Sequence, residues 1–145
     1  MRVVLQVVDG AKVEIDNKVV GSINKGYLLL VGVFESDGES NAIKMAEKIC
    51  KLRVFPDDEG KTNLSLKDVN GDVLSVSQFT LCADTNKGNR PSFVNSASRE
   101  KAIRLYEIFN KTLIEMGVNV QTGVFGAEMV VSLVNHGPFT LVVDN

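Results

Sequence analysis

Tyr27-Leu28-Leu29-Leu30-Val31-Gly32-Val33-Phe34 is an apolar run of strand length with no polar residue to mark a solvent-facing side. Such a run reads as a strand buried on both faces. Toward the N-terminus, Arg2 to Asp9 is rich in Val and reads as a first strand, ended by the turn-favouring pair Asp9-Gly10. Ala11 to Ile15 alternates, Asp16-Asn17 turns, and Val19 to Ile23 returns. Toward the C-terminus, Ser40 is placed to cap a helix. Ile43, Ala46, Ile49 and Cys50 fall on one side of it, and Lys44, Glu47, Lys48 and Lys51 mostly on the other.

Beyond that helix, Val54-Phe55-Pro56 ends the unit, Asp57 to Thr62 is a polar loop, and Leu64 to Lys67 reads as a short strand. Asn70-Gly71 turns into Asp72-Val73-Leu74-Ser75-Val76, whose alternation predicts another strand. Thr85 to Pro91 is a second polar loop. A second helix starts near Ser96 or Ser98, carries Ala102, Leu105, Tyr106, Phe109, Leu113 and Met116, and stops at Gly117. Val118-Val120, Met129-Val134 and Phe139-Val143 are the last three strand candidates. The sum is an α+β fold, a mostly antiparallel sheet or barrel-like core with two main helices.

A chain of 145 residues with 44% hydrophobic and 23% charged residues is expected to be one soluble domain over residues 1–145. No apolar run reaches membrane-span length, and Met1-Arg2-Val3-Val4-Leu5-Gln6 lacks the pattern of a signal peptide. Cys50 and Cys82 are isolated thiols in apolar settings, so a reducing, cytoplasmic location is expected. A net charge of −2 argues against a general polyanion binder, leaving room only for a local basic patch. Neither a metal nor a cofactor is expected, because no His/Cys/Asp cluster has ligand spacing and no phosphate-cradling glycine motif is present. His136 is the only histidine, and beside Gly137-Pro138 it reads as a solvated turn residue.

Three stretches carry more than fold. Ser77-Gln78-Phe79-Thr80-Leu81 places two hydroxyls and an amide at a strand end inside an apolar run, where polar groups need partners or a ligand. Thr122-Gly123-Val124-Phe125-Gly126-Ala127-Glu128-Met129 interrupts a strand pattern with two glycines. Phe125 and Met129 there are either core or the apolar walls of a pocket. Asn135-His136-Gly137-Pro138-Phe139-Thr140 reads locally as a hairpin turn, with a Gly-Pro bond that base rates would make trans.

Taken together with Gly88-Asn89-Arg90-Pro91-Ser92-Phe93, these motifs occur in an order and spacing that closely resemble the bacterial and eukaryotic D-aminoacyl-tRNA deacylase family. The resemblance covers essentially the whole chain. It implies an enzyme that cleaves the ester between a D-amino acid, and also glycine, and the terminal adenosine of tRNA, a chiral proofreading step that spares L esters. It further implies a homodimer with sites at the subunit interface. Ser77, Gln78, Phe79 and Thr80 would be the catalytic stretch of one subunit and Phe125 and Met129 part of its substrate pocket. Gly137 and Pro138, with a cis bond, would enter from the partner. Their carbonyl oxygens would grip the substrate's α-ammonium group and fill the space an L side chain needs.

For mechanism, the signature supplies no base to activate Thr80 as a nucleophile. The favoured scheme is an oxyanion hole from the Phe79 and Thr80 N–H groups, with water attacking under assistance from the ribose 2′-OH. Contacts to the tRNA acceptor end are expected from a few of Arg2, Lys25, Lys87 and Arg90. Two other readings stand beside this one: a hydrolase of another activated ester, and a non-catalytic dimeric RNA-binding module.

Overall fold

The computed structural model describes residues 1–145. In chain order the elements are β1 (Arg2–Ile15), β2 (Lys18–Ile23), β3 (Gly26–Gly32), α1 (Glu39–Lys51), β4 (Arg53–Pro56), β5 (Thr62–Ser65) and β6 (Asp72–Ser77). A 3-10 turn (Phe79–Cys82), α2 (Arg99–Glu115), β7 (Val120–Thr122) and β8 (Val130–Asp144) follow. The main sheet runs β2-β1-β3-β6-β7, with β8 on β1, and β4-β5 form a separate hairpin. β1 is antiparallel to β2, β3 and β8, whereas β3-β6 and β6-β7 are parallel.

The apolar run that suggested a doubly covered strand is β3, and it is buried on both faces. Tyr27, Leu29 and Val31 join the larger core, where α1 and α2 cover the sheet with Met45, Ile49, Leu105 and Phe109. Leu28 belongs to a smaller core on the opposite face, with Val8, Val13, Ile23, Leu74 and Val76. The sheet curls around that smaller core until β2 lies against β6 and β7. A Cβ at Gly21 would stand 2.8 Å from the Thr122 carbonyl and 3.3 Å from Leu74 Cδ1. No helix is long and apolar enough to cross a membrane.

Three local expectations are corrected. Asp9-Gly10 does not reverse the chain: β1 continues to Ile15, and the reversal comes at Asp16-Asn17, both with positive φ. The pair marks instead the point where β1 changes neighbours, from β3 up to Val8 to β2 from Ala11, with a shift in its register against β8. Second, α1 starts at Glu39 after Gly38, whose N–H donates to Asn41 Oδ1 at 3.0 Å, so Ser40 lies inside the helix. The face that packs on the sheet carries Ala42, Met45, Ala46, Ile49 and Cys50, and it leaves Ile43 exposed.

Third, Met129-Val134 and Phe139-Val143 are not two strands joined by a hairpin. They are one strand, β8, whose halves both pair with β1. Gln6 faces Thr140 and Val8 faces Asn135, so His136 to Phe139 bulge out opposite the single residue Val7. α2 matches its expectation: Ser98 caps it, accepting from the Lys101 N–H at 3.4 Å, and Gly117 follows its end with φ +85°.

Candidate active site

β6 ends at Ser77, and the chain then tightens into the 3-10 turn Phe79–Cys82. The Gln78 N–H still donates to the Val31 carbonyl at 2.8 Å, so the turn starts from the end of β3. It can sit that close because residue 32 has no side chain. A Cβ there would meet Leu81 Cβ at 2.9 Å and the Gln78 carbonyl at 3.2 Å. Arg2 Nη1 holds the Leu81 carbonyl at 3.3 Å, and Cys82 Sγ donates to the Val33 carbonyl at 3.3 Å. The first N–H groups of a helical turn have no partner inside it. Gln78 provides no side-chain cap, and neither the Phe79 nor the Thr80 N–H donates elsewhere in the chain. Two unpartnered donors therefore stand side by side on a rigid turn.

Beside them opens a cleft of about 590 Å³. Ser77, Gln78 and Phe79 line one side, Phe125, Gly126 and Met129 another, and Ala102 and Tyr106 of α2 the third. Five of the expected catalytic and pocket residues (Ser77, Gln78, Phe79, Phe125 and Met129) thus meet; Phe79 is 57% exposed and its ring centroid lies 5.1 Å from that of Phe93. The Thr80 side chain is exposed and does not line the cleft. Its Oγ1 accepts from Gln78 Nε2 at 2.5 Å, and no basic group touches it.

The cleft walls are tied to one backbone oxygen. The Ser75 carbonyl accepts from Tyr106 Oη at 2.8 Å and from the Gly123 N–H at 3.2 Å. This joins β6, α2 and the segment carrying Phe125, whose ring lies 5.9 Å from that of Tyr106. Burial pushes the Tyr106 hydroxyl above its ordinary value, more than its hydrogen bonds pull it down, so it stays protonated at neutral pH. Tyr106 and Arg99 are the only ionisable side chains on the lining. No carboxylate, imidazole, amine or thiol is placed to act as a general base. No group of three or more His, Cys, Asp or Glu side chains is arranged to hold a metal ion.

Gly137 and Pro138 do not line this cleft; they are exposed at the crest of the β8 bulge. Their bond is cis, as the resemblance implied and against the base rate. The bulge is braced from below. Asn135 Nδ2 donates to Thr140 Oγ1 at 3.0 Å, the Phe139 N–H donates to Asn135 Oδ1 at 3.2 Å, and His136 Nδ1 lies 2.9 Å from Asp9 Oδ2. Flanking it along β8, Val130, Val134 and Val142 are 64%, 62% and 63% exposed.

Of the expected tRNA contacts, Arg2 is engaged by Asp144 and the Leu81 carbonyl, and Lys25 lies over the Phe55 ring. Lys87 and Arg90 are free at the exposed loop that the Asp84–Ser92 pairing closes. Sequence reasoning missed Tyr106, counted as a core position of α2, and Arg99. Arg99 carried a readable signal: a cation in the first turn of a helix opposes the macrodipole.

A profile of the D-Tyr-tRNA(Tyr) deacylase family matches residues 4–144. A D-aminoacyl-tRNA deacylase of Lactobacillus acidophilus is 60% identical over 144 residues, 99% of each chain. One of Thermus aquaticus is 53% identical over 145 residues, all of this chain and 95% of its own. A solved structure described as a c-Myc DNA unwinding element binding protein superimposes with a TM-score of 0.94 at 34% identity, over 100% of this chain and 99% of the other.

Proposed function

The chain belongs to the D-Tyr-tRNA(Tyr) deacylase family, and we infer that it is a D-aminoacyl-tRNA deacylase. It hydrolyses the ester between a D-amino acid, or glycine, and the 3′-terminal adenosine of tRNA. The observation that carries the chemistry is the pair of unpartnered N–H groups, Phe79 and Thr80, at the lip of an apolar cleft that holds no base.

In this reading Phe125, Met129 and Tyr106 wall the pocket for the terminal nucleoside, which leaves the ester at the 3-10 turn. Water adds to the carbonyl carbon, and the negative charge that grows on the carbonyl oxygen is taken by the two N–H groups. The water's proton passes to the ribose, whose free vicinal hydroxyl assists. The acyl C–O bond then breaks to give the free amino acid and intact tRNA. Ser77 and Gln78 hold the turn in place. Thr80 serves through its backbone, since its hydroxyl is occupied by Gln78.

The L ester is excluded by a second copy of the chain. The exposed valines of β8 offer an apolar seat for that copy, and the bulge on the same strand supplies Gly137 and Pro138. Their backbone oxygens would meet the α-ammonium group and occupy the space of an L side chain, so that D residues of many sizes and glycine pass. The domain, residues 1–145, would work in the cytoplasm without a cofactor.

The test is release of tyrosine from D-Tyr-tRNA and L-Tyr-tRNA by the purified protein without added metal. Rapid loss of the D ester alone supports the reading. Equal loss of both points to a general esterase of activated esters, and loss of neither to an RNA-binding module.

A further inference from the structure

Resting on that reading, we propose that Arg99 is a phosphate-binding residue of the cleft, taking the phosphodiester that joins the terminal adenosine to the rest of the tRNA 3′ strand. Arg99 is the only charged side chain on the cleft lining. The other basic residues of the first turns of α2 are engaged, Lys101 with Glu35 and Arg104 with Glu39. Arg99 makes no ion pair and no hydrogen bond with any group of the chain. It is also the first residue of α2, where its charge faces the positive end of the helix dipole. An exposed cation in that place with no internal partner weakens the helix slightly, and an anion bound there would offset this.

Geometry gives the compensation a direction. The guanidinium lies across Gly126: a Cβ at that residue would stand 3.4 Å from Nη1 and Nη2 and 3.5 Å from Cζ. Those are ordinary contact distances, so the flat group packs along the cleft wall at Gly126, one residue from Phe125. A nucleoside held against Phe125 and Met129 carries its 5′-phosphate on the side away from the 3′ ester. A planar fork of N–H donors matches two phosphate oxygens, which a single ammonium does less well. The lining contains no carboxylate that would oppose an anion there.

The experiment compares wild type, Arg99→Gln and Arg99→Lys on two substrates, D-Tyr-tRNA and D-tyrosyl-adenosine, which has the ester and base but no phosphate. For Arg99→Gln on D-Tyr-tRNA, KM should rise about tenfold at low salt with kcat unchanged, the size of one charge-assisted contact. The slope of log(kcat/KM) against log[salt] should become shallower by about 0.7, one phosphate's worth on a single strand. Arg99→Lys should retain that slope. D-Tyrosyl-adenosine should be hydrolysed equally by wild type and Arg99→Gln. Equal losses on both substrates, or an unchanged salt slope, overturn the assignment while leaving the deacylase reading intact. A wild type that cleaves neither substrate overturns that reading, and the role of Arg99 with it.

Discussion

Ser77–Thr80 and His136–Phe139 are both places where a strand stops being regular, and they face opposite surroundings. The first, at the end of β6, is packed against Gly32 of β3 and opens into a walled cleft of its own chain. The second, in mid-β8, is braced by Asn135 and His136 but presents Gly137 and Pro138 to solvent, with nothing of the same chain before them. A rigid, braced, exposed backbone segment is an ordering cost without a local return. On the proposed function, the contrast teaches that one chain contains one wall of a site and, in the β8 bulge, a segment that would serve the site of another copy.

The sharpest way to break this comparison is at the turn. Phe79→Pro removes one N–H at the first helical position, where proline is tolerated, and Gln78 before it lies outside the helical region with φ −142° and ψ 82°. Turnover of D-Tyr-tRNA should fall by about 10²–10³ relative to Phe79→Ala, which loses the same ring but keeps the donor. Thr80→Ala should keep most of its turnover. Its abolition with binding intact would show that the hydroxyl, not the backbone, does the chemistry.

The bulge should respond next. Gly137 has φ +113°, and a Cβ there would stand 3.1 Å from the Phe139 nitrogen, so Gly137→Ala must shift the crest. A displacement of that kind should lower D-ester turnover by about 10²-fold, with the melting temperature nearly unchanged because the crest is exposed. Mixing Gly137→Ala chains with Phe79→Pro chains under conditions of subunit exchange should restore activity, since one site of each mixed pair then has both halves native. No recovery would place both halves on one chain. The smallest effect belongs to the brace itself: the His136–Asp9 pair is more than half exposed, so His136→Ala should cost less than about 1 kcal/mol in denaturant unfolding.

The elements legible in the sequence were those fixed by near neighbours. α2 shows its Ser98 cap, its apolar stripe and Gly117, and β3 shows its double burial by the absence of any polar face. Ser77, Gln78, Phe125 and Met129 stood out because polar groups and glycines interrupt apolar strands there, and the structure gathers them around one cleft. What stayed hidden depends on distant partners. Asp9-Gly10 and Gly137-Pro138 both satisfy the local chemistry of a reversal. Whether the chain reverses or only bulges is decided by β1, long enough to pair with both halves of β8. Tyr106 looked like core because it is core, and only the Ser75 carbonyl at 2.8 Å makes it part of the cleft floor.

The two free N–H groups at the start of the 3-10 turn also bear on how such a chain tolerates mutation. A hydroxyl or an imidazole is lost by a single codon change to almost anything else, whereas a main-chain donor survives every replacement but proline. If these donors act as proposed, the centre would be nearly invisible to alanine scanning and exposed mainly to changes that move the turn, such as filling the gap at Gly32. Its vulnerable positions are then those that set where the backbone runs, and replacing the Phe79 amide by an ester through chemical synthesis would address the donor directly.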